Sequence, residues 1–245
     1  MLHQFAFHRL AKTGKAFSPA QQRIRCLAHI INLATQVLIS SYSKAKHYNP
    51  HAPGEHVPDT SACKRDEVGL IRAITVKERS SSKRKELFRS IQRQANINPP
   101  KQLLIDMPVC WSSTYMMLDR AEKHKQLVDI FVYEIGRDEK DLVKRAKLDN
   151  LKLTEEEWGR AKLFLDLLTH ADRAQQAFSS DQGPSLHLGL PALEALHKAW
   201  SSRIERPKYA DFKEPLRAAV KKIEDYYDHM ADSPAYIMAM CMYFS

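Results

Sequence analysis

Only one segment of this 245-residue chain reads as a β-strand, residues 101–106 (Lys-Gln-Leu-Leu-Ile-Asp), while most of the rest carries a helical period. A lone strand is unstable and leaves backbone donors and acceptors unpaired, so it implies sheet partners, and these are hard to find elsewhere in the chain. Pro108 stops the segment, Trp111 stands at the turn, and Ser112, Ser113 or Thr114 offers a cap for an amphipathic helix beginning near Tyr115. Strand ends in α/β sheets are where sites are usually built. Trp111 therefore reads either as a core plug or as a functional aromatic. Asp106 reads either as a metal-binding acid or as an acceptor for the backbone turn before Pro108.

The helical periods are explicit. Ser18 and Pro19 open a helix whose stripe of Ile24, Leu27, Ile31, Ala34 and Leu38 is widened by Ile30, Leu33 and Val37. Residues 47–66, with Pro50, Pro53, Gly54 and Pro58, read as a loop. Helical character returns over 66–94 through Val68, Ile71, Ile74, Leu87, Phe88 and Ile91. Tyr115, Leu118, Ala121, Val128 and Phe131 mark the next helix, and 138–153 reads as a charged connection. Thr154 is an N-cap with capping-box spacing to Glu157, ahead of a face built from Trp158, Ala161, Leu165, Leu168 and Ala171. A turn is expected over 180–185. Helices then follow through Leu190, Leu193, Leu196 and Trp200, and through Phe212, Leu216, Val220, Ile223 and Tyr227, with a last apolar segment after Ser233 and Pro234.

Composition narrows the function. A formal charge of +9 and a pI near 9.3 favour a polyanionic partner, with nucleic acid ahead of a membrane. No apolar run approaches bilayer length. Cys26, Cys63, Cys110 and Cys241 lie far apart without a C-x-x-C pair, which fits a reducing, intracellular setting. Cys26 and His29 are neighbours on one helix face, half of a zinc site at most. Their other reading is a buried thiol and a core histidine. No Gly-rich phosphate loop, H-E-x-x-H or G-x-S-x-G motif occurs. Positive charge concentrates at Arg72, Lys77, Arg79, Lys83, Arg84, Lys85, Arg89 and Arg93, a run able to track phosphates or simply to form a solvated helix face.

Three segments carry a family resemblance. Residues 23–34, with Arg25, Cys26, His29 and Asn32, resemble the R-C-x-A-H-x-L-N-L helix of the hAT superfamily of cut-and-paste DNA transposases. Residues 106–118 resemble that family's D-x-x-T-R-W-N-S-T-x-x-M-L segment. The segments around 153–158, 184–191 and 226–240 are similar to the helices that follow in order, and 71–88 looks like the version in fungal members. The resemblance implies a mainly α chain: a helical insertion domain attached to a partial RNase H-like α/β fold. The division would be 1–110 for the partial RNase H-like region, 111–230 for the insertion and 231–245 for a return segment.

In an intact member, two aspartates and a glutamate bind divalent metal, Mg by expectation, for attack on phosphodiesters. A tryptophan at the position matched by Trp111 stacks an extruded base. Met1 to Ala20 holds no acid, and Cys110 stands where the family has Arg. The expectation is a truncated, nuclear, transposase-like chain that has no cofactor and no catalysis of its own. Its residual DNA binding would run through residues 72–93 and Trp111. The alternatives are a helical protein-interaction scaffold, with a protein partner or a second copy of itself, and an incomplete piece of an active transposase.

Overall fold

The computed structural model describes residues 2–14, 16, 26–52, 55–178, 186–231 and 235–243. It is mainly helical, and no β-ladder occurs among the described residues. The helices are α1 (Leu2–Thr13), α2 (Leu27–Tyr42), α3 (Glu67–Arg79), α4 (Ser82–Gln94), α5 (Trp111–Lys123), α6 (Lys125–Arg137), α7 (Leu142–Asp149), α8 (Glu155–Phe178), α9 (Leu186–Ile204), α10 (Lys213–Ala231) and α11 (Ala235–Tyr243), with a 3-10 turn at Pro207–Phe212. The chain divides into two compact units, 1–38 with 170–245, and 39–169; the dividing points fall inside α2 and α8. The boundary expected at 110/111 falls inside the second unit. The caps expected at Ser18 and Pro19, the turn over 180–185 and the start at Ser233 and Pro234 lie outside the described residues.

In the first unit, α9 packs on α10 and α11. Trp200, Phe212, Leu216, Leu193 and Ile223 are fully buried there, on the faces their spacing predicts. Helix α1 instead exposes Phe5, Phe7 and Leu10.

The second unit holds the candidate site. Asp66 joins α2 to α3: one carboxylate oxygen accepts from the Gly69 amide at 2.9 Å as the N-cap of α3. The other takes the Ser43 hydroxyl and the amides of Lys44 and Ala45 at the end of α2. Gly69 is required by this approach, because a Cβ there would stand 2.6 Å from that of Ala45. At α8 the capping box forms as its spacing predicts, with the Thr154 amide donating to Glu157 and the Glu157 amide to Thr154 Oγ1. Arg65 reaches Glu157 and the carbonyls of Asn150 and Lys152, tying the residues just before α3 to the start of that helix.

Three local expectations change. Residues 101–106 form no strand, and at the start of the segment side chains take up the backbone groups. The Gln92 amide group accepts from Lys101 N at 2.8 Å and donates to Lys101 O at 2.9 Å, and Arg120 donates to Gln102 O at 2.9 Å. A strap held this way needs no sheet partner. Helix α5 begins at Trp111, ahead of the serines. Ser113 is used instead to close the preceding turn, accepting from Met107 N and donating to Cys110 O. The charged connection over 138–153 contains α7, capped by Asp141 through the amides of Val143 and Lys144.

Candidate nucleic-acid interface

Asp106 is the centre of a buried polar cluster. Its two oxygens receive Arg72 Nε at 2.8 Å and Arg72 Nη2 at 2.7 Å, a bidentate pair that is almost wholly shielded from water. Thr114 Oγ1 donates to Oδ2 at 3.0 Å, and His47 Nε2 stands 3.4 Å from the same oxygen. Arg72 Nη1 donates to the carbonyls of Ala45 and Lys46, so the strap, α3, α5 and the end of α2 meet at one carboxylate. Burial pushes the His47 imidazole below its ordinary value; Asp106 pulls it back up and the Arg72 charge adds to the fall.

The remaining cations of the run form a surface. Lys83 pairs with Asp138 at 3.3 Å, and Glu86 is shared by Arg93 at 2.7 Å and Arg89 at 3.5 Å. Arg79 is tied to the Gln102 side chain. Arg84 donates to Ser80 Oγ at 2.9 Å, and Ser81 caps α4. Two recesses open beside Arg84. One is lined by Ser80, Ser81, Lys83, Leu87, Ile135 and Asp138. The other, about 220 Å³, brings Lys77, Lys144 and Lys147 to Arg84 over Val57, Leu148 and Leu151. Burial lowers the Lys77 ammonium from its ordinary value, and repulsion from Arg84 adds to the shift.

Below this surface, Glu78 is fully buried and neither carboxylate oxygen makes a hydrogen bond of normal geometry. Burial lifts its pKa from 4.5 to about 7, against the pull of Arg79, Lys85, Arg89 and the Leu103 amide.

Residues 24–167, more than half of the chain, match the family described as the ZBED1 RNase-like helical domain. The chain belongs to this family. It is a domain found in hAT-related transposase-like proteins. No curated protein and no solved structure matches the chain.

Within this RNase-like helical domain the expected site residues separate. Arg25 lies outside the described residues. Cys26 and His29 are exposed, which overturns their reading as a buried core pair, and Asn32 accepts a hydrogen bond from Gln36 one turn on. Among the described residues no group of three or more His, Cys, Asp or Glu is placed to hold a metal ion. Asp106 does not suit the divalent metal that the resemblance implies, because its oxygens are already committed to Arg72, Thr114 and His47. Arg72, 1% exposed, is withdrawn from the phosphate-facing set by the same pair. Trp111, 3% exposed, is packed inside near Tyr115, so the fold gives its indole the core-plug placement rather than a face open to a base. Lys77, Arg79, Lys83, Arg84, Lys85 and Arg89 remain partly or fully accessible. Lys144 and Lys147 join them unforeseen; their i,i+3 spacing behind the Asp141 cap was the signal. No helix among the described residues is long and apolar enough to cross a membrane.

Proposed function

We propose that this chain is a non-catalytic DNA-binding module, the helical part of an hAT-type transposase-like protein that stands beside an RNase H-like region and acts in the nucleus. The observation that carries the reading is the charge balance over 77–93. Seven cations face two carboxylates there. One of the two, Glu78, is buried, and the other, Glu86, is shared between two arginines. Among the described residues Lys85 has no carboxylate within ion-pair distance, and Arg84 is held by a serine hydroxyl. Such a surface meets a phosphate backbone without sequence preference, and its affinity is set by counterion release. The commitment of Asp106 to Arg72 supports the absence of phosphodiester chemistry at this residue, because no open oxygen is left to take a metal.

The test is the affinity of the full chain for a random duplex as a function of salt. A steep log-log decline is expected, with Lys85→Ala and Arg89→Ala each reducing the slope by about one. Flat or undetectable binding at low salt would reject the reading. It would turn attention to a protein-binding role, which the exposed Met107, Val109 and Met116 around the Trp111 turn favour.

A further inference from the structure

We propose that the recess between the end of α3, the first turn of α4 and α7 is a receptor for a phosphate monoester, with a 5′-phosphorylated DNA end as its source. Four cations line it, Lys77, Arg84, Lys144 and Lys147, against the single carboxylate of Glu139. Lys77, Arg84 and Lys147 have no carboxylate within ion-pair distance among the described residues, and Lys144 reaches Asp141 only at 3.7 Å. Exposed surface cations commonly find a neighbouring acid, as Lys83, Arg89 and Arg93 do here. Three unpaired cations converging on one recess call for an anion from outside.

Size and charge select the ligand class. At about 220 Å³ the recess is smaller than the roughly 300 Å³ at which drug-sized ligands begin, so it suits a compact group. An internal phosphodiester carries one negative charge and lies along the outside of a duplex. A monoester carries about 1.5 to 2 negative charges at pH 7 and ends a chain, so it can enter a recess and use more than one cation at once. Val57, Leu148 and Leu151 supply an apolar floor, which lowers the local dielectric and strengthens those contacts. Arg84 lines the recess and is anchored from the neighbouring one by Ser80 Oγ at 2.9 Å, a neutral partner that leaves its charge uncompensated. The half-buried Lys77 already feels uncompensated positive charge, its ammonium being destabilised by burial and by Arg84. A dianion between the two removes that repulsion.

The strand-end source rests on the DNA-binding reading; the phosphate chemistry of the recess does not. The full chain is titrated with one oligonucleotide duplex carrying either a 5′-phosphate or a 5′-hydroxyl, and separately with adenosine monophosphate. The 5′-phosphate is expected to tighten binding about tenfold, the worth of one or two charge-assisted hydrogen bonds. Lys147→Ala, an exposed substitution on α7, should erase that ratio, whereas Lys85→Ala should weaken both duplexes and leave the ratio intact. Equal affinity for the two duplexes overturns the strand-end proposal. Failure of both duplexes to bind, with adenosine monophosphate still binding in a Lys147-dependent way, overturns the DNA reading and keeps the phosphate receptor. No binding of the mononucleotide and no end preference overturns the receptor itself.

Discussion

Arg72 and Glu78 are six residues apart on α3, both buried, and the fold treats them in opposite ways. Arg72 meets a carboxylate in bidentate geometry, and that carboxylate also takes a threonine hydroxyl. Glu78 has cations around it but no hydrogen bond of normal geometry, and burial leaves it near neutrality with a pKa of about 7. In a low-dielectric interior a charge is kept only where its partners are placed atom to atom; nearby opposite charge is not enough. The Asp106 end is therefore a fixed joint of the second unit. The Glu78 end, lying under the basic surface, is free to titrate.

Removing one half of the joint gives the largest effect. Asp106→Ala strands the Arg72 guanidinium in the interior and is expected to cost about 3–5 kcal/mol of unfolding free energy, read as a fall in the urea midpoint. The double variant Arg72→Met with Asp106→Leu should recover most of that loss, because it removes both charges together. A single variant costing under about 1 kcal/mol would break the contrast, since it would mean the buried pair is as dispensable as a surface one.

What was legible in the sequence follows the same division between local and distant causes. The face of α2, the α9 and α10 cores around Trp200 and Ile223, and the Thr154–Glu157 box are set by residues within a few positions of one another, and the periods and caps showed them. The strap over 101–106 looked like a strand because Leu103 and its neighbours are apolar. What decides its backbone pairing is Gln92 and Arg120, which no local pattern connects to it. Arg72 was counted with the basic run although it lies between Ile71 and Ala73, inside the apolar stripe of α3, and its partner is 34 residues away. That position was the available signal. Helix α7 was hidden by having a single buried apolar residue, Leu148, so its capping aspartate was a better guide than its hydropathy.

The Glu78 side of the contrast predicts an intermediate effect of opposite sign. Its folded pKa lies above the unfolded one, so between about 4.5 and 7 the native state holds a proton that the unfolded state has lost. Stability from this group is full below about 4.5 and declines until about 7, then stays level. His47, whose folded pKa is lowered, contributes in the other direction, gaining stability as pH rises toward its ordinary value. The difference between wild type and Glu78→Gln separates the two. The variant should be more stable at pH 8 by about 2 kcal/mol, allowing for solvent screening of the neighbouring cations, and its advantage should shrink steadily toward pH 5. A pH-independent difference would mean that Glu78 is not the titrating group.

The smallest effect asks whether the third donor at Asp106 matters once Arg72 is in place. Thr114→Val keeps the buried shape and deletes the hydroxyl that donates to Oδ2 at 3.0 Å. With both Arg72 bonds intact, the cost is expected at the lower end for a bond to a charged acceptor, about 1.5 kcal/mol. The same oxygen faces His47 Nε2 at 3.4 Å, so losing the threonine proton leaves more of its negative charge directed at the imidazole. The His47 titration, followed by the shift of its ring proton, should therefore move up in the variant. A stability loss without that movement would assign Thr114 to packing alone. Movement without a loss would show that Arg72 by itself saturates the carboxylate and that Thr114 serves only to set the charge His47 feels.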